Sequence, residues 1–346
     1  MTKTKNANTW KIIGVYTSGI IGAGFASGQE LLQFFAHYGA WGIAGLAAAG
    51  VLFAFAGWAV LDICFTDHIA DGTELLKKVM GERLGLIVEV GAVFFMCVLY
   101  ATMMAATGAS LKQYAGVPFT VGAVIGSALV FAALLFDLKG LVAVSARIAP
   151  FLVAGGLMIG LLTFVNQYRP AFAGESRVQW LYAAITYAGY NIVSSVAVLS
   201  SMSVMLGSRK EAKKAGIISG LTVTALGLCM IYPLYLNYAG VRHTEIPLLN
   251  ISRQFGGVFE FMYMLLLLGA IFTTALSNGF ALIQWLNKRL NVNPLAAKLI
   301  LAFGGLLFAH IGFSVFVSKV YPVFCTVGLA EIAAVLAVWA KRHGKA

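Results

Sequence analysis

Glycines interrupt the first apolar segment of this chain. Residues 18–28 read Ser-Gly-Ile-Ile-Gly-Ala-Gly-Phe-Ala-Ser-Gly, with glycine at positions 19, 22, 24 and 28. Glycine is a poor residue for a helix interior, so this stretch predicts a break in an otherwise apolar helix. In a lipid bilayer a broken helix survives only where protein or a water-filled cavity satisfies the freed backbone groups. The pattern therefore indicates a polar cavity inside a membrane protein.

The composition also indicates a membrane protein. Hydrophobic residues make up 60% of the 346 residues and charged residues only 11%. Apolar runs long enough to cross a bilayer as helices recur along the whole chain. We predict an all-α polytopic membrane protein, one domain over residues 1–346, with about ten transmembrane helices; nine and eleven are the alternative counts. The predicted spans are 10–38, 41–65, 84–112, 117–136, 140–165, 178–204, 215–239, 256–286, 294–312 and 319–340.

Basic residues are distributed unequally between the loops. If both termini are cytoplasmic, seventeen of the 24 lysines and arginines fall on the inner side and six on the outer side. This asymmetry follows the positive-inside rule and predicts a multi-pass membrane protein with both termini in the cytoplasm. The net charge of +11 is then a consequence of topology, so no nucleic-acid partner is expected. The loops leave no room for an enzymatic domain, and we expect no enzyme.

The ten spans divide into a first repeat, residues 10–165, and a second repeat, residues 178–340. Five spans per half give the halves opposite orientations, which is the inverted-repeat architecture. The first span of the second half contains Gly189 and a run of polar groups between residues 186 and 195. This pattern predicts a second interruption that matches the first. The alternative is that the glycines only allow close packing of helices.

The glycine-rich segment carries a family resemblance. Ser18-Gly-Ile-Ile-Gly-Ala-Gly-Phe25 resembles the first-span motif of the amino acid–polyamine–organocation (APC) superfamily, whose members share the LeuT fold. The continuation Phe25-Ala-Ser-Gly-Gln-Glu30 is similar to the YkvI-like branch of bacterial permeases. The resemblance implies a 5+5 inverted repeat in which helices one and six are discontinuous.

The same resemblance implies a solute site. The unwound backbone of span one would receive the carboxylate of the solute, and exposed amides at a helix break favour an anion. Tyr190 matches an aromatic residue that covers the solute in relatives. The implied substrate-binding residues are Gly22, Ala23, Gly24, Phe25 and Ala26 in span one, Thr186, Tyr187, Gly189, Tyr190 and Asn191 in span six, and Tyr100, Met103 and Met104 in span three.

Span eight supplies a candidate ion site. Thr273 and Thr274 resemble the hydroxyl pair that binds sodium in relatives, and the matching carbonyls are those of Ser18, Ile21 and Ala270. Five oxygens without a full charge suit a monovalent cation better than a transition metal. The alternative is that both threonines donate to carbonyls of their own helix. Apart from this candidate sodium ion, no cofactor is expected.

Charged residues within the spans are the other coupling or gating candidates. Arg147 would either take the place of sodium or extend its guanidinium to the inner membrane surface. Proton coupling needs a carboxyl group, and Glu30, Glu89 and Glu331 are the candidates. Three roles are open for Glu30: binding a cationic part of the solute, relaying a proton, or pairing with an outer arginine such as Arg242.

These features predict a secondary active transporter, a cation-coupled symporter of a small amino-acid-like or related organic solute that works by alternating access. Its partners would be the small-molecule solute and the lipid bilayer. The alternative is a permease-like nutrient receptor, which binds solute and signals without sustained transport, as subunits of spore-germination receptors do.

Overall fold

The structure is a computed structural model that describes residues 2–135, 138–167 and 179–344, with side chains at 9–135, 150–166 and 179–344. Within these ranges the chain is helical, and no β-strand is present. The α-helices in chain order are α1 (Thr2–Ile20), α2 (Ala23–Ala26), α3 (Gln29–Phe34), α4 (Ala40–Asp67), α5 (Gly72–Met80), α6 (Glu82–Ala115), α7 (Phe119–Leu135), α8 (Leu138–Gln167), α9 (Trp180–Met202), α10 (Arg209–Leu236), α11 (Tyr238–Val241), α12 (Pro247–Ser252), α13 (Gly257–Leu290), α14 (Pro294–Ala309), α15 (Phe313–Val315) and α16 (Cys325–His343). Short 3₁₀ segments cover Ala36–Tyr38, Ser203–Met205, Arg253–Phe255 and Tyr321–Phe324, and Phe316–Val320 is π-helical.

Most of these helices are apolar along their length. Among the described residues, six helical segments are long and apolar enough to cross a membrane, and three shorter helices are also apolar. Large apolar side chains such as Phe94, Phe303 and Leu307 are more than half exposed on the outside, as suits contact with lipid. The predicted class, a multi-pass all-α membrane protein, is therefore confirmed. Helix is present within each of the ten predicted spans.

The long helices form two groups. In one, α1 and α4 each pack against both α9 and α10; in the other, α6 and α7 each pack against both α13 and α14. α8 contacts α10 and α13, and α16 contacts α4 and α6. The contacts follow a pattern. If α1, α4, α6, α7 and α8 are exchanged in that order with α9, α10, α13, α14 and α16, each of these contacts is replaced by another contact of the same set.

Small residues let α4 and α10 approach at backbone level. A Cβ atom on Gly220 would lie 2.9 Å from the backbone nitrogen of Ala54, and one on Gly216 would lie 2.7 Å from the carbonyl oxygen of Ala54. Small residues of this kind are what allows close helix packing inside a membrane. α4 and α10 therefore pack backbone against backbone within the group that also contains α1.

The first span is broken, as its glycines predict. α1 ends at Ile20, α2 is a single turn, and α3 begins only at Gln29. Gly28, between α2 and α3, has φ 80° and ψ −2°, a left-handed conformation that favours glycine. A Cβ atom there would also lie 2.6 Å from Cγ of Leu248. The turn between α2 and α3 therefore needs glycine both for its backbone conformation and for its packing.

Contacts from other helices hold the broken segment in place. The Tyr263 hydroxyl of α13 donates to the carbonyl of Ala26 at 2.7 Å. The Leu248 amide of α12 donates to the carbonyl of Ser27 at 3.0 Å. These bonds satisfy carbonyls that α2 is too short to pair, which is how a broken helix is tolerated in a membrane.

The predicted interruption of the sixth span is wrong. α9 is continuous from Trp180 to Met202. Its polar side chains bond within the helix: Asn191 Nδ2 donates to the Tyr187 carbonyl at 3.0 Å, and the Ser195 hydroxyl donates to the Asn191 carbonyl at 2.8 Å. Such back-bonding satisfies polar groups without opening the helix. In the second half, irregular backbone lies instead between α15 and α16, in the last span.

Candidate functional site

A cavity of about 50 Å³ lies beside the break between α1 and α2. It has room for a few water molecules in this conformation. α6 and α13 contribute to its wall as well as α1, α2, α3, α9 and the irregular part of the last span. The residues of the predicted sets that line it are Gly22, Ala23, Gly24, Glu30, Met103, Tyr190, Asn191 and Thr274.

The break leaves backbone groups free at the cavity. Within the described residues, no backbone hydrogen bond reaches the carbonyls of residues 18–21 or the amides of residues 22–25. A helix end normally leaves such groups unpaired, and a buried helix end needs another partner for them. Gly22, Ala23 and Gly24 line the cavity, so the free amides lie at its wall. The site therefore offers both acceptors and donors without using any side chain.

Glu30 folds back over the backbone of Gly24. A Cβ atom on Gly24 would lie 2.6 Å from Cδ of the Glu30 carboxyl group. The Glu30 side chain is 5% exposed, and its Oε2 atom has no hydrogen-bond partner in the part of the chain that the structure describes. The hydroxyls of Tyr187 and Tyr190 face this carboxyl group, and neither makes a hydrogen bond to another described residue. No described basic residue pairs with Glu30, so pairing with Arg242, one of the three roles that the sequence leaves open, is not formed.

Aromatic rings surround the same end of the cavity. The ring of Tyr190 lies 5.2 Å from that of Tyr321 and 6.0 Å from that of Phe95, centroid to centroid. Phe95 and Tyr321 are themselves 5.5 Å apart. All three residues line the cavity together with Glu30. One acidic side chain thus shares the cavity with three aromatic rings.

The predicted ion ligands are divided between the first span, with Ser18 and Ile21, and α13, with Ala270, Thr273 and Thr274. Oγ1 of Thr274 is 3.7 Å from the place where a Cβ atom of Gly22 would be, so its hydroxyl faces the free backbone. Thr273 instead donates to the Ala270 carbonyl at 3.1 Å, which is the back-bonding alternative. The Ser18 hydroxyl donates to the carbonyl of Val15 within α1, leaving the Ser18 carbonyl free.

Several predicted residues lie away from the cavity. Tyr100 packs against Gly305 of α14: its Cε1 atom lies 2.7 Å from the place that a Cβ atom of Gly305 would take. Met104 faces the same glycine. Gly189 allows α9 to approach α16, because a Cβ atom there would lie 3.0 Å from the Cys325 carbonyl oxygen. Thr186 also lies beside Cys325.

The other predicted residues of span one are enclosed by protein. Phe25 is fully buried outside the cavity lining, and Ile21 and Ala26 line a second, smaller apolar cavity of about 10 Å³. Arg147 falls in α8, and its side chain lies outside the described residues.

The other two carboxyl candidates differ from Glu30. Glu89 accepts a bond of 2.8 Å from Arg289 and one of 3.1 Å from the Trp285 ring nitrogen, so it is a paired charge between α6 and α13. Glu331 is 1% exposed and neither of its oxygens has a hydrogen-bond partner among the described residues, but it does not line the cavity. Glu30 is the carboxyl group that faces the cavity.

The cavity also contains residues that the sequence did not reveal. Phe95, Ser194, Asn278 and Tyr321 line it, and none of them was predicted. Asn278 follows Thr274 by one helical turn, so helical periodicity from the predicted threonine is the signal that points to it. Nothing comparable in the sequence connects Phe95 or Tyr321 with the first span.

The fold and the cavity define a class: a multi-pass α-helical membrane protein with a buried polar cavity beside a broken helix. Two proteins of Bacillus subtilis (strain 168) are similar to the chain over most of its length. The uncharacterized membrane protein YkvI is 26% identical over 335 residues, which cover 95% of each chain. The uncharacterized protein YyaD is 29% identical over 307 residues, 88% of this chain and 89% of YyaD. No protein-family profile matches the chain.

Proposed function

We propose that the chain is a secondary active transporter of LeuT-like architecture, which moves a small amino-acid-like or related organic solute across the bacterial inner membrane. The observation that carries this proposal is the position of the cavity. The broken first span and α9 line it from one group of helices, and α6 and α13 line it from the other. A solute held there would contact both groups, which alternating access requires.

The contacts between helices support an inverted repeat in this proposal. The set is unchanged when the spans of residues 10–165 are exchanged with those of residues 178–340, as two copies of one five-span unit require. The group with α1, α4, α9 and α10 would rock against the group with α6, α7, α13 and α14. The excess of basic residues on one side supports cytoplasmic termini.

The free backbone groups support the proposed ligands. Amides of residues 22–25 would donate to a carboxylate of the solute, since unpaired amides at a helix break favour an anion. The free carbonyls of Ser18 and Ile21, with the Thr274 hydroxyl nearby, would bind a sodium ion as the coupling ion. One break would then serve both the solute and the ion.

Uptake into proteoliposomes tests the proposal. A thermal-shift screen of amino acids and related metabolites, with and without sodium, selects a ligand for the purified protein. The labelled ligand is then supplied to proteoliposomes with an inward sodium gradient, with equal sodium on both sides, and with potassium alone. We expect accumulation above the outside concentration only with the gradient. Saturable binding without uptake would reject the transporter and favour the receptor.

A further inference from the structure

We propose that Glu30 and the rings of Phe95, Tyr190 and Tyr321 form a subsite for a protonated amine, so that the solute carries an ammonium group. This inference rests on the proposed solute cavity and specifies the chemical class of its ligand. It also chooses among the three roles that the sequence leaves open for Glu30.

Among the described residues, no cation faces the buried carboxyl group of Glu30. Glu30 is 5% exposed, and no described lysine, arginine or histidine pairs with it. Burying a carboxylate without a cation or hydrogen bonds is very costly. By contrast, the buried Glu89 is satisfied by Arg289 and Trp285. Because Glu30 lines a cavity, a ligand that enters the cavity can supply the missing cation.

The aromatic rings favour an organic cation in that place. Faces of tyrosine and phenylalanine rings attract an ammonium group electrostatically. Three such rings lie within about 6 Å of one another and border the cavity on the Glu30 side. A site for a bare proton would require the carboxyl group alone. The cluster therefore fits an ammonium group with attached carbon atoms.

Two tyrosine hydroxyls are placed to orient the carboxylate. The hydroxyls of Tyr187 and Tyr190 face Glu30 and make no hydrogen bond within the described residues, so each can donate to a carboxylate oxygen when the group is ionised. The free amides of residues 22–25 lie next to the carboxyl group, since Glu30 touches Gly24. Adjacent sites for a cation and an anion match an α-amino acid, in which both groups are attached to one carbon.

Matched probes test the subsite on the purified full-length chain. The probes are L-alanine, ethylamine and propionate, and the larger set L-phenylalanine, phenethylamine and 3-phenylpropionate. We expect ammonium-bearing probes of at least one set to raise the unfolding temperature, whereas the two carboxylates without an amine do not. Glu30→Gln should weaken binding of those ammonium probes by about tenfold or more, since it removes the charged partner.

Control variants separate the ring, the charge and the fold. Tyr190→Phe keeps the aromatic face but removes a hydroxyl that faces Glu30, so it should lose less affinity than Tyr190→Leu, which removes both. Glu74→Gln removes the same charge on the exposed side of α5 and should bind like the wild type. Each variant is checked for an unchanged elution profile and helical circular dichroism.

Three results would overturn the subsite: equal stabilisation by the carboxylates without an amine, unchanged affinity in Glu30→Gln, or no stabilisation by any ammonium probe. Failure of transport is separate. Uptake of a solute with an unchanged KM in Glu30→Gln would reject the ammonium subsite and leave the transporter intact. Glu30-dependent binding of amines without uptake would reject the transporter and leave the ammonium subsite intact.

Discussion

The carboxyl group of Glu30 occupies the space that a Cβ atom of Gly24 would fill. These residues are six positions apart, and in a continuous helix they would lie on different faces. The break and the left-handed Gly28 turn the chain so that the Glu30 side chain points back to the backbone of Gly24. The glycine thus makes room for the acid as well as weakening the helix.

Gly24→Ala should therefore impair solute binding while the protein remains folded. The added methyl group displaces the Glu30 carboxyl group from the cavity wall, and we expect the affinity for the solute proposed to bind there to fall several-fold or more. Gly14→Ala is the matched control, because a Cβ atom at Gly14 in α1 meets nothing within 4 Å. Binding is measured by ligand-dependent unfolding temperature. Equal losses in both variants would contradict the role given to Gly24.

Gly28→Ala should destabilise the protein. An L-residue in the left-handed conformation costs about 1–2 kcal/mol, and the new Cβ atom would also collide with Leu248. Gly116, with φ 68° and ψ 9° and open space around it, isolates the backbone cost. Unfolding in detergent should show a larger loss for Gly28→Ala than for Gly116→Ala. Equal losses would mean that the Leu248 contact relaxes freely.

Thr274→Ala should weaken the response to sodium. Its hydroxyl faces the free backbone at Gly22, and its loss removes one of the few oxygens available to the ion. The concentration of sodium that half-saturates uptake should rise, whereas uptake measured in potassium should change little. Thr222→Ala is the control for this change, because the hydroxyl that it removes donates to the Ile218 carbonyl of its own helix, at 2.8 Å. If solute stabilises the wild type equally in sodium and potassium, sodium coupling is wrong.

Arg289→Ala should lower the free energy of unfolding by about 2 kcal/mol, because it leaves the Glu89 carboxylate buried without its cation. The value is below that of a fully buried pair because the Arg289 side chain is 38% exposed. Adding Glu89→Gln should recover part of the loss, since no charge is then left unpaired. A double variant that loses as much as the sum of the single variants would show that the pair does not interact. Glu89→Gln alone should leave the coupling ion unchanged.

The sequence predicts the helical membrane class and the first break because both depend on local composition. Long apolar runs and four glycines within residues 18–28 act on the backbone wherever they lie. α9 shows the limit of this reasoning. Its glycine and polar residues resemble a break, but whether Asn191 bonds to its own helix or to a neighbour depends on rotamers and packing.

The cavity required information that the sequence does not contain. Tyr190 and Tyr321 meet across more than a hundred residues, and no period or motif connects them. Tyr100 is aromatic and buried like Tyr190, yet it packs against Gly305 of α14 and not at the cavity. Which of two buried tyrosines faces a ligand is decided by helix rotation, which depends on the contacts of the whole bundle.

The bonds from Tyr263 and Leu248 to the broken segment affect how the cavity can open. Both reach carbonyls at the end of α2, so a rotation of α2 away from α13 would break a hydrogen bond of 2.7 Å. α1 ends before this tether, and the peptide groups around Ile21 and Gly22 hold few bonds that bending would break. If α1 tilts during the proposed transport cycle, bending the chain there would cost less than moving α2. The loss of pairing that marks the break also makes it the natural hinge of the first span, with α2 as the stationary part.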